Sequence, residues 1–296
     1  MNRTRISIAK PDIIRYFDQL PEKVFRQKDL SRFLAEQREF WRLAQSTTTQ
    51  EFIRYLINSA KLSKIVFPFP QPYKKEIRFA WGDASIYEIM LMLRPGCYFS
   101  HYTAMAFHGL TEQLPKTTYL NSEQKSTGPV GGTLTQKGID LAMRRPVRVS
   151  GNVAETSDFR ICIISGKNTN NYAVIEEPVM GAGKPLGRLR FTKLERTLID
   201  IAVRPIYAGG VSEVAKAYQL AQDRVSVNVL AATLDKLGYL YPYHQVIGFY
   251  LERAGYRPAQ LDLLRRFPFE FDFYLTHGMK ETQYIKDWRL HIPKGF

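Results

Sequence analysis

Cysteine is scarce in this chain: Cys97 and Cys162 are the only two, and neither belongs to a C-x-x-C pair. That usage excludes a disulfide-built scaffold and a cysteine-ligated zinc centre, and it suits a reducing cytosol. Long apolar runs are missing too. None approaches the roughly 20 residues of a membrane-spanning helix. The opening MNRTRISIAK is basic but has no apolar stretch of the kind a secretory signal carries. The expectation is a cytoplasmic protein with no membrane partner. Acidic side chains are also few, 28 Asp and Glu against 42 Lys and Arg, for a formal charge of +14. Such an excess calls for a polyanion, nucleic acid first.

Enzyme signatures are equally sparse. The chain has no G-x-S-x-G elbow to organise a serine nucleophile. Gly181-Ala182-Gly183-Lys184 has a superficial look of a phosphate loop, but Pro185 stands where the magnesium-binding hydroxyl belongs, so a turn is the better reading. His101 and His108 lie two helical turns apart near Cys97, without the H-x-x-x-H spacing of a metal site. Asp158, Glu176 and Glu177 could be nuclease carboxylates, yet Pro178 occupies the place where such sites usually carry a lysine. No catalytic residue, metal or cofactor is expected.

What is present is enough chain for two domains: 296 residues, 45% hydrophobic and 13% aromatic. The positive charge is unevenly spread. Residues 1–82 hold 16 Lys and Arg against eight Asp and Glu, whereas 83–296 hold 26 against 20. A polyanion contact therefore belongs mainly to the first part. There Pro11 opens a helix with Ile13, Ile14, Phe17 and Leu20 on one face, closed by Pro21. A second helix is expected over Gln27–Leu43, its Phe40-Trp41 end open to being a turn, and a third over Thr49–Leu62. The third buries Phe52, Ile53, Leu56, Ile57 and Ala60. Opposite them Gln50, Arg54, Asn58 and Lys61 fall at i, i+4, i+8 and i+11, a stripe able to bond bases or phosphates, with Thr49 at its start.

Two short β runs, Ile65–Phe69 and Ile77–Trp81, flank a tip that carries Lys74 and Lys75. Three helices and such a hairpin read as a winged helix-turn-helix, helix three entering the major groove and the wing lying on the backbone. Arg26, Lys28 and Arg32 at the start of helix two are then phosphate contacts.

Residues 83–296 read as a mixed α/β domain with a helical segment, which makes the chain α+β overall. Helices are expected over Ile86–Leu93, Tyr102–His108 (with Ser100 as N-cap and Gly109 just past the end) and Thr135–Arg144. Thr117–Asn121 is a strand and Ser126–Thr133 a loop. Phe159–Ser165 and Tyr172–Glu176 look like strands joined by a hairpin or longer turn, with Arg188–Phe191 a third strand. Helices follow over Ser212–Gln222, Val227–Leu237 and Tyr243–Ala254. The alternation of Phe269, Phe271, Phe273 and Leu275 with polar neighbours is that of a half-buried strand, for which Tyr284–Ile292 is a pairing partner.

The most informative segment is Phe191–Gly210, FTKLERTLIDIAVRPIYAGG. Thr192-Lys193-Leu194-Glu195 has the spacing of a capping box. Leu194, Leu198, Ile201 and Ala202 then mark a buried helix face, Arg204-Pro205 stops it, and Gly209-Gly210 frees a tight turn. Asp200 stands four residues after Arg196, the spacing of an intrahelical ion pair. His108, at the end of its helix, sits where a charged imidazole is favoured.

The run resembles the LERTLxDxxxRPxYxGG segment of the AbiEi antitoxins, and SHYTAMAFHGL, Ser100–Leu110, resembles the same family. The residues carrying the likeness are Ser100, His108, Gly109, Glu195, Arg196, Thr197, Asp200, Arg204, Pro205, Tyr207, Gly209 and Gly210. The resemblance implies an antitoxin that represses its own operon through the winged helix. Two copies would share an inverted repeat in double-stranded operator DNA. Its C-terminal domain would neutralise a nucleotidyltransferase-like toxin. The rivals are a DNA-targeting nuclease with a winged-helix reader and a stand-alone regulator that senses a ligand.

Overall fold

The computed structural model describes residues 4–113, 115–125, 133–181 and 183–296. Most of the loop expected over Ser126–Thr133, and Ala182 of the expected turn, lie outside them. The chain divides into two compact units: Met1–Pro95 with Ala154–Asp158 and Pro178–Leu189, and Gly96–Val153 with Phe159–Glu177 and Arg190–Phe296.

The first unit runs α1 (Arg5–Ile8), α2 (Lys10–Gln19), β1 (Val24–Phe25), α3 (Gln27–Gln37), α4 (Thr49–Ser59), β2 (Leu62–Phe67), β3 (Glu76–Trp81) and α5 (Ile86–Leu91). Its three strands form an antiparallel sheet of order β1-β3-β2. The apolar stripes meet in one core, where Ile13, Phe17, Leu30, Phe52 and Leu56 are fully or almost fully buried and Phe17 stacks on Trp81 at 4.7 Å. α3 stops short of its expected end at Leu43. Arg38 donates to the carbonyls of Ala44 (2.5 Å) and Thr47 (3.1 Å). That folds the following segment into a turn and returns Trp41 to the core against Phe52. α4 ends at Ser59, before Lys61, because the chain enters β2 at Leu62. The boundary expected at residue 82 falls within this unit. Arg78 donates to the carbonyls of Met92 and Leu93 beyond α5, and the Ser85 hydroxyl donates to the carbonyl of Leu186.

The second unit brings β4 (Tyr98–Phe99), α6 (His101–Phe107), β5 (Thr118–Glu123), α7 (Gln136–Arg144), β6 (Val153–Glu155), β7 (Arg160–Gly166), β8 (Val174–Gly181) and β9 (Lys184–Thr192), of which β6, β8 and β9 run partly in the first unit. The strand order is β6-β7-β5-β4-β9-β8. Of the two readings of the Gly166–Asn171 connection, a hairpin or a longer turn, the hairpin is not formed. β7 pairs parallel with β5, Tyr119 opposite Cys162, and β8 lies beside β9. The Glu123 carboxylate accepts from the amides of Thr169 (2.8 Å) and Asn171 (3.2 Å), pinning the connection to the end of β5 and turning the chain away.

A helical layer follows: α8 (Leu194–Val203), α9 (Val211–Leu220), α10 (Val227–Leu237), α11 (Tyr243–Arg253) and α12 (Pro258–Arg265), of which α12 was not foreseen. Of the alternating run near the end only β10 (Phe273–Tyr274) is strand. It pairs parallel with β12 (Leu290–Pro293), which pairs antiparallel with β11 (Thr282–Ile285). The alternation survives as burial, Phe273 and Leu275 facing in.

The capping box expected at Thr192 is absent. β9 continues through Thr192, so Lys193 becomes the N-cap of α8 with no side-chain bond. The Thr192 hydroxyl turns inward to that of Thr197 at 2.7 Å, and Glu195 accepts from the amide of Ser226 at the start of α10. The position is right and the role is different.

Two buried histidines give this unit an acid limit. Burial pushes His101 down to about 4, Asp200 opposing it, and pushes His244, stacked on Phe267, down to about 4 as well. Each stays neutral when folded while its unfolded counterpart titrates near 6.5, so protons favour the unfolded state. The stability they contribute is fully present above pH 6.5 and falls as pH drops toward 4, by roughly 3 kcal/mol per histidine. Denaturant titrations at pH 7.5, 5.5 and 4.5 should show this decline, and His244→Phe should flatten it. An unchanged slope in the variant would place the sensitivity elsewhere.

Candidate nucleic-acid interface

The outward face of α4 is set by what its other faces must do. Thr48 caps the helix, its hydroxyl accepting from the Glu51 amide at 3.2 Å while the Glu51 carboxylate accepts from the Thr48 amide at 2.9 Å. That bond holds the Glu51 carboxyl below its ordinary range and anchors its charge at the helix end. Phe52, Ile53 and Leu56 are buried. The 3.6-residue period therefore leaves Gln50, Arg54 and Asn58 exposed together on the opposite side. No carboxylate pairs with Arg54 among the described residues, so its guanidinium is free for an external acceptor.

Two residues expected beside them serve the fold instead. Lys61 lies beyond the helix and pairs with Asp18 at 3.0 Å, while Asp18 also accepts from the Trp81 indole at 2.7 Å. These bonds, Trp81 first, hold the Asp18 carboxyl below its usual value. Thr49 is half-buried and donates to the Ser31 hydroxyl, tying α4 to α3. On α3, Lys28 is exposed, but Arg32 lies between Asp29 (4.0 Å) and Glu36 (3.9 Å), and Arg26 is half-buried with its amide bonded to Asp29.

Lys74 and Lys75 are exposed in the β2–β3 connection, as expected. Lys64, exposed on β2, is a cation the sequence reading passed over. With the helix drawn through Leu62 and the strand begun at Ile65, Lys64 fell into no element. β2 begins at Leu62, and of its first residues Leu62 is buried while Ser63 and Lys64 are exposed.

In the second unit, most polar side chains of the Phe191–Gly210 segment bond within the fold. Arg196 bonds Asp200 at 2.7 Å with both side chains buried, as the spacing predicts. Tyr207 is buried and its hydroxyl accepts from the Ser150 amide at 2.8 Å. Gly209 and Gly210 adopt φ of 79° and 95°, the left-handed backbone that leads into α9. Ser100 occupies the N-cap of α6, yet its hydroxyl lies 2.8 Å from His101 Nδ1 and makes no cap bond. His108 departs from expectation. Burial pushes its pKa down rather than up, although Nε2 sits 2.8 Å from the Thr192 carbonyl. Arg204 alone of these motif residues keeps a side-chain cation with no partner among the described residues.

Among the described residues no three His, Cys, Asp or Glu side chains come together as a metal site, and Asp158, Glu176 and Glu177 are in no such group. Among them, too, no helix is long and apolar enough to cross a membrane.

The architecture defines a mixed α/β protein of two units, built from twelve α-helices and three sheets among the described residues. No family model and no curated protein matches the chain. Among solved structures it is similar to the crystal structure of the RV2827C protein from Mycobacterium tuberculosis. The two are 16% identical over 98% of this chain and 93% of that one, with a TM-score of 0.59. At that identity the likeness shows the fold alone.

Proposed function

We propose that this chain is a DNA-binding antitoxin that represses its own operon. The first unit reads operator DNA as a winged helix-turn-helix, and the second neutralises a nucleotidyltransferase-like toxin. The observation that carries the reading is the α4 face: Gln50, Arg54 and Asn58 exposed on one side of a helix whose other side is locked into a core. Lys64, Lys74 and Lys75 on the following hairpin extend the positive surface. The antitoxin half of the reading rests on the likeness of Phe191–Gly210 and Ser100–Leu110 to AbiEi antitoxins.

A footprint of the full chain on the DNA upstream of its gene tests the first half. Protection of an inverted repeat is the expected result, two copies occupying it. Arg54→Ala should cost about 1–3 kcal/mol of affinity and relax specificity at one base. An equal loss on every sequence would make Arg54 a phosphate contact, and no protection at any salt would end the operator reading. The second half predicts a nucleotidyltransferase gene beside this one, and co-expression of the two should rescue growth; absence of such a gene would end the antitoxin reading.

A further inference from the structure

Arg42 holds a backbone position that glycine ordinarily fills. Past α3 the Leu43 amide donates to the Arg38 carbonyl at 3.0 Å, and the Arg42 amide to the Glu39 carbonyl at 2.9 Å. That pair of bonds closes a helix end around one left-handed residue, usually glycine and sometimes asparagine. Here the residue is arginine, at φ 50°. In that conformation Cβ crowds the following carbonyl oxygen, so the fold gives up stability to keep a side chain there.

The side chain itself is unused within the fold. Arg42 is exposed, and among the described residues no hydrogen bond or ion pair reaches its guanidinium, Glu39 of the same turn included. A cation near a helix C-terminus gains a little from the helix dipole. Any exposed position of the last turn offers that gain without left-handed backbone.

Its neighbours are fixed. Trp41 and Leu43, on either side, are 3% and 5% exposed. Trp41 stacks on Phe52 in the first turn of α4, ring centroids 5.7 Å apart, and meets Tyr16 of α2 edge-on at 5.4 Å. Arg38 gathers the carbonyls of Ala44 and Thr47, which draws the rest of the turn together just before the Thr48 cap. The root of Arg42 is thereby anchored beside the N-terminal end of α4, and only its long side chain is free to move.

The chemistry of the partner follows from that place. In helix-turn-helix docking the N-terminal residues of the second helix reach base edges, and cations flanking them meet the phosphates. Of the cations expected to do so from the start of α3, Arg32 lies between Asp29 and Glu36, and Arg26 is half-buried. Arg42, beyond the other end of that helix, is unpaired and preset. A guanidinium fork matches two oxygens of one phosphate.

We propose that Arg42 is a phosphate contact of the first unit, set by the α3–α4 turn on the DNA backbone beside the base-reading face of α4. The inference rests on the DNA-binding reading and deepens it with a contact whose role separates from folding.

The test uses the full chain, the duplex that the wild type enriches from a random pool, and a scrambled duplex of equal length. Arg42→Gly should weaken binding roughly fivefold on both and make the log–log salt slope shallower by about 0.9. Its melting temperature should hold or rise, because glycine suits the left-handed backbone. Arg42→Lys, which keeps a cation in place, should retain most of the slope. A glycine variant with wild-type affinity and slope overturns the contact. So does a loss confined to the enriched duplex, which would make Arg42 a base reader. A loss accompanied by a lower melting temperature would make its role structural and overturns the contact too. If the wild type binds no duplex at any salt, the DNA-binding reading itself falls, and this contact with it.

Discussion

Replacing Arg196 with methionine should lower the stability of the chain by about 3–5 kcal/mol. The side chains of Arg196 and Asp200 are only 5% and 7% exposed, and Arg196 is the one hydrogen-bond partner of the Asp200 carboxylate among the described residues. Arg196 also donates to the Tyr172 carbonyl at 3.2 Å, joining α8 to the segment before β8. Removing the guanidinium leaves a buried carboxylate without its counter-charge, which costs far more than an exposed pair would. The pair as a whole need not be strongly stabilising. Arg196→Met combined with Asp200→Leu should therefore recover most of the loss, since no charge is then left uncompensated. Denaturant midpoints of the two variants decide the point. A single-variant loss under about 1 kcal/mol would mean that Asp200 finds water or another donor.

Gly248→Ala should destabilise by about 3 kcal/mol, against the sense of helix propensity. Gly248 lies in the middle of α11, where alanine is ordinarily better than glycine by about 1 kcal/mol. Here a Cβ would overlap the six-membered ring of Trp288. The indole has nowhere to go. It is 0% exposed, donates to Glu252 at 2.9 Å and is covered by Arg265 at 5.0 Å. Helix α11 and the turn holding Trp288 must separate or distort. Pairing Gly248→Ala with Trp288→Leu should restore part of the stability, because the smaller side chain vacates the collision. Thermal unfolding of both proteins gives the answer, and a stabilised single variant would show that the indole can shift.

Much of the first unit was legible because its helices are amphipathic and punctuated by local chemistry. Pro11 and the Phe52–Leu56 stripe act over a few residues and need no distant partner. The same holds for α8, whose buried face and Arg204-Pro205 stop were readable, and for the ion pair Arg196–Asp200 within one turn. Lys61 shows where such reading ends. Its position in a polar stripe was plain, but its use by Asp18, 43 residues earlier, was not.

The sequence by itself determined the uneven positive charge, the apolar face of each long helix and the Arg204-Pro205 stop of α8. These depend on composition, period and backbone limits within a few residues of one another. Tertiary structure alone decided which strands are neighbours, why Thr192 and Glu195 bond elsewhere than in a cap, and why Gly248 must be glycine. It alone decided, too, that Arg204 keeps its charge unpaired at a recess while Arg196, eight residues before it on the same segment, is buried against Asp200. Periodicity tells which face of an element is apolar; what covers that face is set by contacts between residues far apart in the chain.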